Sequence, residues 1–293
     1  MSELWRWNQE YQDILPSEGF ADRIRATMAK ERKHRRRQRT LSVVGGTAAA
    51  LVVAVNVSPT LVYAAKDIPL LGSLVEIVTF GRYDFQDGGY EAEVVTPEIR
   101  GLVDQDLQDR LNQEFQDNAD ALICAFSEDV QELKEEFGED TVHMRVEQNY
   151  EVKTDTDDYL ALDVYTFFAS GSGMEKHSFY TIDKRTGQLV TLAGMFPEGT
   201  DYVTGLSNYI REEMLRRNAE ENGMFWVKGQ GGPMDEAGFE QIRPDQDFYI
   251  NDKGHLVICF DEYEVAAGAQ GSPEFEIPED VMAALQAGQE ANR

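Results

Sequence analysis

The apolar positions fall into blocks of different period. Leu107, Leu111, Phe115, Ala119, Leu122, Phe126, Val130, Leu133 and Phe137 recur at steps of three and four, with Gln, Asp and Glu between them. That spacing lines one face of a helix and predicts one over 104–137, stopped by Gly138. The period then drops to two. "TVHMRVEQNYEVKT" and "YLALDVYTFFAS" read as strands parted by the turn-rich "DTDD", and "HSFYTIDKRTGQLVTLAGMF" reads as a hairpin turning at "DKRTG". A second helix is expected from about Tyr202 to Asn222, ended by Gly223. "DFYINDKGHLVICFDEYEV" reads as a hairpin turning at "NDKG", and "PEDVMAALQAG" as a short helix entered at Pro278. Upstream, "KDIPLLGSLVEIVTFGRY" predicts a short amphipathic helix. Helices segregated from runs of antiparallel strands make this an α+β domain, its antiparallel sheets packed against helices. No repeat of fixed period is present.

The N-terminal quarter is patterned differently. Thr40 to Ala65 is 26 residues without a charge, and its most apolar part, Leu41 to Val55, is 15 residues long. About 20 apolar residues cross a bilayer as a helix, and a core of about 15 also suits a signal peptide. The preceding "KERKHRRRQR" is strongly basic, which places the N-terminal side in the cytoplasm and the rest outside. A leader of 40 residues is long for a secretory signal, which favours a single-pass anchor. Pro59 breaks a helix, and Val62-Tyr63-Ala64 puts short side chains at the two positions that signal peptidase inspects, ahead of Ala65. Before the span, Phe20, Ile24 and Met28 share one helical face. Forty residues bury no useful core, so that stripe suits a partner's groove, or anionic lipid. The layout is therefore 1–40 as a short cytoplasmic helical segment, 41–65 as one transmembrane helix, and two extracellular α+β modules at 66–190 and 191–293.

Charge sharpens this division. Residues 1–40 hold ten Lys and Arg against six Asp and Glu. Of whole-chain totals of 27 basic and 54 acidic side chains, that leaves 17 and 48 for residues 66–293, a net of −31. So acidic a body excludes nucleic acid as its partner and steers cationic ones; solubility outside a cell explains the same charge. The two cysteines, Cys124 and Cys259, lack a CxxC, which excludes a Cys-rich zinc site. They suit one extracellular disulfide or two separate thiols.

No catalytic constellation stands out. His34, His143, His177 and His255 form no metal-ligand spacing, and Ser207 in "GLSNY" lacks the second glycine of a nucleophile elbow. The carboxylates of "TDTDD" suit a metal or a solvated turn. The reading is of a protein that is not an enzyme and uses no cofactor. Two small-residue loops interrupt strands rich in aromatic residues: Ser170-Gly171-Ser172-Gly173, and Ala266 to Pro273. Loops on a rigid sheet are common binding sites, and also ordinary connections.

Three segments carry a resemblance: "NVSPTLVYAAKDIPLLGSLVEIVTF", "YTIDKRTGQLVTLAGMF" and "LVICFDEYEVAAGAQGSPEFEIP". Together, and in this order, they resemble the membrane-bound anti-sigma factors of the sigma-V regulator type. The resemblance implies that residues 1–40, through Phe20, Ile24 and Met28, hold an extracytoplasmic-function sigma factor inactive. It implies that the outer region is a receptor for lysozyme, and that ligand binding exposes a signal-peptidase cut after Ala64. An intramembrane protease then cuts the span and frees the sigma factor. Carried onto this chain, the expected lysozyme contacts are Ser170, Gly171, Ser172, Gly173, Tyr263, Ala266, Pro273 and Phe275. The expected location is the cell membrane, N-terminus inside. The alternative is a membrane-anchored protein that binds or modifies peptidoglycan, since the outer module resembles a part of some polysaccharide deacetylases. No deacetylase metal motif follows it here.

Overall fold

A computed structural model describes residues 75–138, 142–231 and 234–287. The expected cytoplasmic segment with Phe20, Ile24 and Met28, the expected span and the Val62–Ala65 cut all lie outside these residues. Among the described residues no helix is long and apolar enough to cross a membrane. All of them fall in one compact unit.

The first sheet has six strands in chain order: β1 (Glu76–Asp87), β2 (Tyr90–Arg100), β3 (Met144–Asp155), β4 (Tyr159–Ser170), β5 (Ser172–Asp183) and β6 (Gln188–Leu189). Helix α1 (Gln105–Phe137) connects β2 to β3, which pair in parallel, while the other neighbours are antiparallel. The sheet is thus mixed rather than wholly antiparallel, because a long helical crossover returns the chain in the same direction. The helix begins where Asp104 accepts from the Leu107 N–H (2.9 Å) and ends at Gly138, at φ +83°, whose N–H reaches the Lys134 carbonyl (2.9 Å). Its 33 residues extend about 50 Å along one face of the sheet.

The three-and-four spacing is what the sheet buries. Leu107, Leu111 and Phe115 pack with Ile99, Leu160, Leu162, Tyr180 and Ile182; Ala119, Leu122, Phe126 and Val130 pack with Tyr90, Ala92, Val94, Met144 and Val146. Asn112 fixes the register by taking both polar groups of Ile99, its Oδ1 from the N–H (2.7 Å) and its Nδ2 to the carbonyl (2.8 Å).

Residues 76–83, expected as part of an amphipathic helix, are the first two-thirds of β1. The cause is visible in the register. A bulge between Thr79 and Gly81 inserts one residue, so Ile77, Phe80 and Tyr83 repeat at three and imitate a helix. The bulge also turns Phe80 outward, 55 % exposed.

The second sheet is smaller: β7 (Phe248–Ile250), β8 (Leu256–Cys259) and β9 (Glu274–Glu276), all antiparallel. Helices α2 (Tyr202–Glu220) and α3 (Glu279–Gln286) complete it. Leu206, Ile210 and Met214 of α2 and Leu285 of α3 close a core with Phe225, Phe260 and Phe275. Ser207 is a strut in it: its Oγ donates to the Val203 carbonyl (2.5 Å) and accepts from the Ile242 N–H (2.9 Å). Both hairpin turns work as their sequences suggest. Asp183 Oδ1 accepts from the N–H groups of Arg185 (2.8 Å) and Thr186 (3.2 Å), and Asn251 Oδ1 from those of Lys253 and His255 (both 3.0 Å).

The two sheets share a small cluster, with Ala161 and Phe179 from the first against Tyr249, Val257 and Cys259 from the second. Buried Thr154 Oγ1 adds a bond to the Ile250 carbonyl (2.7 Å). Both cysteines are free thiols, Cys124 exposed on α1 and Cys259 buried in β8.

Candidate functional site

The β4–β5 hairpin keeps an unbroken register from Tyr159↔Asp183 to Ser170↔Ser172. Gly171 alone makes the turn, at φ +82°, where a side chain would be strained. The expected Ser170–Gly173 loop is therefore a tight tip. Ser170, Gly171 and Ser172 are exposed, whereas Gly173 lies under Phe167, whose ring leaves 2.9 Å for an added Cβ.

Beyond β6, β5 has a free outer edge, and carboxylates close it. The Glu175 N–H donates to Glu262 Oε2 (2.9 Å) and the His177 N–H to Asp261 Oδ1 (2.9 Å). The Phe179 N–H donates to the Asp247 carboxylate. The Glu262 N–H returns a bond to the Glu175 carbonyl (3.3 Å). Three alternate amides of an edge strand are thus capped by acidic side chains rather than by another strand. Burial and the neighbouring Asp261 push the Asp247 carboxyl up to about 7, although Arg243, 3.4 Å away, opposes this. Burial likewise pushes Asp261 up.

Tyr263 follows directly on this docked pair. Tyr263 is 46 % exposed and holds φ +64°, a conformation seldom adopted without a reason in the surrounding structure. Its ring sits on Gly268, where an added Cβ would meet it at 2.4 Å. The other expected contacts lie inside. Ala266 bridges to Phe225, Pro273 gives its carbonyl to the Phe260 N–H (3.0 Å), and Phe275 is fully buried against Phe225, Phe260 and the Arg217 guanidinium. Of the expected contacts, the fold therefore leaves Ser170, Gly171, Ser172 and Tyr263 exposed, the first three at the β4–β5 tip and Tyr263 next to Glu262, which pairs with Glu175 of β5.

Behind that surface lies a network that the sequence reading misses. His177 Nδ1 bonds Asp163 Oδ2 (2.9 Å), and its Nε2 bonds Ser272 Oγ (3.0 Å). The imidazole stacks on Phe179 (5.8 Å between ring centroids) and tilts against Tyr165 (6.1 Å). Asp163 is 3 % exposed, and its Oδ1 has no hydrogen-bond partner among the described residues. Burial pushes its carboxyl up, while His177 and Lys153 pull it back. For His177, burial acts against the charged form, but the Asp163 bond and the carboxylates of Asp163, Glu175 and Asp261 outweigh it and raise its pKa. The order Ser–His–Asp is that of a nucleophilic triad. Here the acidic surroundings raise the pKa of the imidazole, and its charged form donates to Ser272 rather than taking a proton from it. A cavity of about 450 Å³ along α1 is lined by Phe85, Phe126 and Val130 among others, none of them from this network. The arrangement ties the hairpin to the loop before β9. Among the described residues no group of three or more His, Cys, Asp and Glu is placed to hold a metal ion.

One signal for the network was present: Asp163 is charged at an inward position of an apolar strand. Nothing in the sequence connects it to Ser272, which lies 95 residues from His177.

Known proteins share this architecture. Residues 194–280, which carry α2 and the whole second sheet, match the protein family of unknown function DUF3298. A crystal structure of a DUF3298 member from Bacteroides fragilis aligns with a TM-score of 0.53 at 14% identity, over 73% of this chain and 94% of its own. At that identity it speaks for the fold alone. The family match ends within α3 and contributes Asp247, Asp261 and Ser272 to the network; Asp163 and His177 come from the preceding sheet. The chain is also 29% identical over 293 residues to the anti-sigma-V factor RsiV of Bacillus subtilis (strain 168), covering 98% of this chain and 97% of that protein. The resemblance to sigma-V-type anti-sigma factors thus runs from end to end, beyond the three segments that first carried it.

Proposed function

We propose that the chain is a membrane-anchored anti-sigma factor. Its N-terminal 40 residues sequester an extracytoplasmic-function sigma factor, and its outer unit is the receptor that releases it. The observation that carries this is the similarity to an anti-sigma-V factor along essentially the whole length of both proteins. It includes the head, the apolar stretch and the outer unit, so the reading does not rest on the DUF3298 segment alone.

The outer unit in this reading captures lysozyme. Its net charge of −31 over residues 66–293 favours a basic ligand. Ser170, Gly171 and Ser172 supply contact groups on a rigid hairpin end, and the strained Tyr263 adds one from the loop after β8. Capture then permits signal peptidase to cut after Ala64, and an intramembrane protease completes release. Ala266, Pro273 and Phe275 contribute by holding the loop from within. The role is regulatory and needs no chemistry from this chain.

The test is a reporter strain carrying a sigma-V-type sigma factor and its target promoter. Full chain is expected to silence the promoter, and added lysozyme to restore it. A promoter that stays active with the chain present would sink the anti-sigma reading. Silencing that lysozyme does not relieve would leave that reading and remove the ligand.

A further inference from the structure

We propose that His177, bonded at once to Asp163 on β4 and to Ser272 in the loop before β9, is the positioning residue of the binding end. It sets the place of loop 268–273 and the direction of the Ser272 hydroxyl, so that ligand capture follows the charge of the imidazole. The inference rests on the receptor reading above for its ligand, but not for its geometry.

Ser272 ties this loop to the first sheet. Gly271, at φ +63°, turns the chain into Ser272, and Ser272 Oγ is held by His177 Nε2 at 3.0 Å. The imidazole cannot swing to follow the loop. It is fixed by Asp163 at Nδ1 and by the stacked Phe179 ring, and the His177 backbone is held by its amide N–H on Asp261 Oδ1. Those bonds make His177 the rigid partner and the loop the part that is placed.

Two protonation states give Ser272 two roles. As an imidazolium, both ring nitrogens donate: Nδ1–H to Asp163 and Nε2–H to Ser272 Oγ. The serine hydrogen is then free to donate to an acceptor on a ligand. As neutral imidazole, Nδ1 keeps its hydrogen for Asp163, and Nε2 becomes an acceptor that takes the Ser272 O–H. The heavy atoms stay where they are, but the hydroxyl hydrogen is withdrawn from the surface.

The groups facing the ring favour the first state. Asp163 comes from β4, Glu175 from β5 and Asp261 from the loop after β8, with the Tyr165 ring from β4 beside them; Lys176 of β5 acts on Asp261, and Glu262 caps the Glu175 amide. Glu175 Oε2 itself stands 3.9 Å from Nε2. Lys153 and Glu151 act on Asp163 from β3 with opposite signs. The imidazolium is present below the raised pKa of His177 and lost as pH rises through it. At the acid end, protonation of Asp163 removes its counter-charge.

The experiment measures lysozyme binding to the full chain at about pH 6 and about pH 8, with Ser272→Ala and His177→Gln alongside. The intact chain is expected to bind about tenfold more weakly at the higher pH, the scale of one charge-assisted hydrogen bond. Ser272→Ala is expected to bind weakly at both pH values. It keeps the His177–Asp163 pair, and so serves where His177→Gln fails to fold. The same ratio between the two pH values in Ser272→Ala as in the intact chain overturns the proposal. If the intact chain binds no lysozyme at either pH, the ligand claim falls, and amide hydrogen exchange over 268–273 decides the positioning claim. Exchange about tenfold faster in Ser272→Ala supports it; unchanged exchange overturns it.

Discussion

Replacing Tyr180 by Phe removes one hydroxyl and isolates one buried carboxylate. Tyr180 on β5 is 3 % exposed and Glu114 on α1 is 8 % exposed, and the Tyr180 hydroxyl donates to Glu114 Oε1 at 2.9 Å. Burial raises the pKa of Glu114, and the tyrosine bond lowers it in part. Burial and Glu114 together keep Tyr180 protonated, so it is a permanent donor. The Phe variant keeps the ring edge-on to Phe115 (5.0 Å) and leaves Glu114 in place without its donor. At about pH 8 the loss is expected to be about 1.5–3 kcal/mol, the range for a hydrogen bond to a buried charge. The sign with pH follows from the direction of the shift. Glu114 holds its proton more tightly folded than unfolded, so this group favours the fold as pH falls. Losing the tyrosine bond raises the folded pKa further. The deficit is therefore full above that pKa and shrinks on acidification through it, towards the roughly 1 kcal/mol of a neutral bond. Glu114→Gln keeps an acceptor for Tyr180 and is expected to stay within about 1 kcal/mol of the intact chain. Urea titrations followed by circular dichroism measure all of these. An equal loss for Tyr180→Phe above and below the folded pKa of Glu114, or a larger loss for Glu114→Gln, would refute the reasoning.

Three further outcomes follow from other parts of the chain. Asp247→Asn is expected to gain stability relative to the intact chain as pH rises from about 4 to about 7 and to gain no more above that, because between those values the native carboxyl holds its proton and the unfolded one does not; parallel stability–pH curves for the two proteins over that range would contradict this. Gly268→Ala places a Cβ 2.4 Å from the Tyr263 ring, so the ring must leave its seat. Weaker lysozyme binding with a melting temperature changed by only a few degrees is expected, and unaltered binding counts against Tyr263 as a contact. Ala64→Trp is expected to block lysozyme-induced processing, read on immunoblots, while binding continues; cutting at the same place in the variant removes the assignment.

Most of the fold was legible where local pattern and local chemistry agree. The α1 face, the caps at Asp104 and Gly138, and the turns at Asp183 and Asn251 each depend on residues within a few positions of one another. Reading failed at β1 because a bulge broke the period of two, and a spacing of three is also that of a helix. It passed over β2, although Tyr90, Ala92 and Val94 alternate there. The parallel pairing of β2 with β3 was beyond reach for another reason. It joins Tyr90 to Met144 across the whole of α1, and no residue in either strand states its partner.

The candidate site divides along the same line. Short polar tips and exposed aromatics were identifiable one at a time, and Ser170–Ser172 and Tyr263 lie on the surface. Burial was not identifiable, because one loop sequence contains both kinds of residue. In "YEVAAGAQGSPEF" the chain leaves the surface at Val265, returns to the half-exposed Gly268–Ser272, and dives again at Pro273. What decides the sorting is the neighbouring hairpin. Glu175, His177 and Phe179 present backbone donors at alternate positions of one strand edge, and the acidic loop and Asp247 close on them. An unfilled edge is a liability in water, so the carboxylates answer to that edge first. Tyr263 is left outside because Asp261 and Glu262 are drawn in. The acidity that suggests a basic ligand from the sequence thus serves two ends, and part of it is spent inside the fold, where a ligand meets only its consequences.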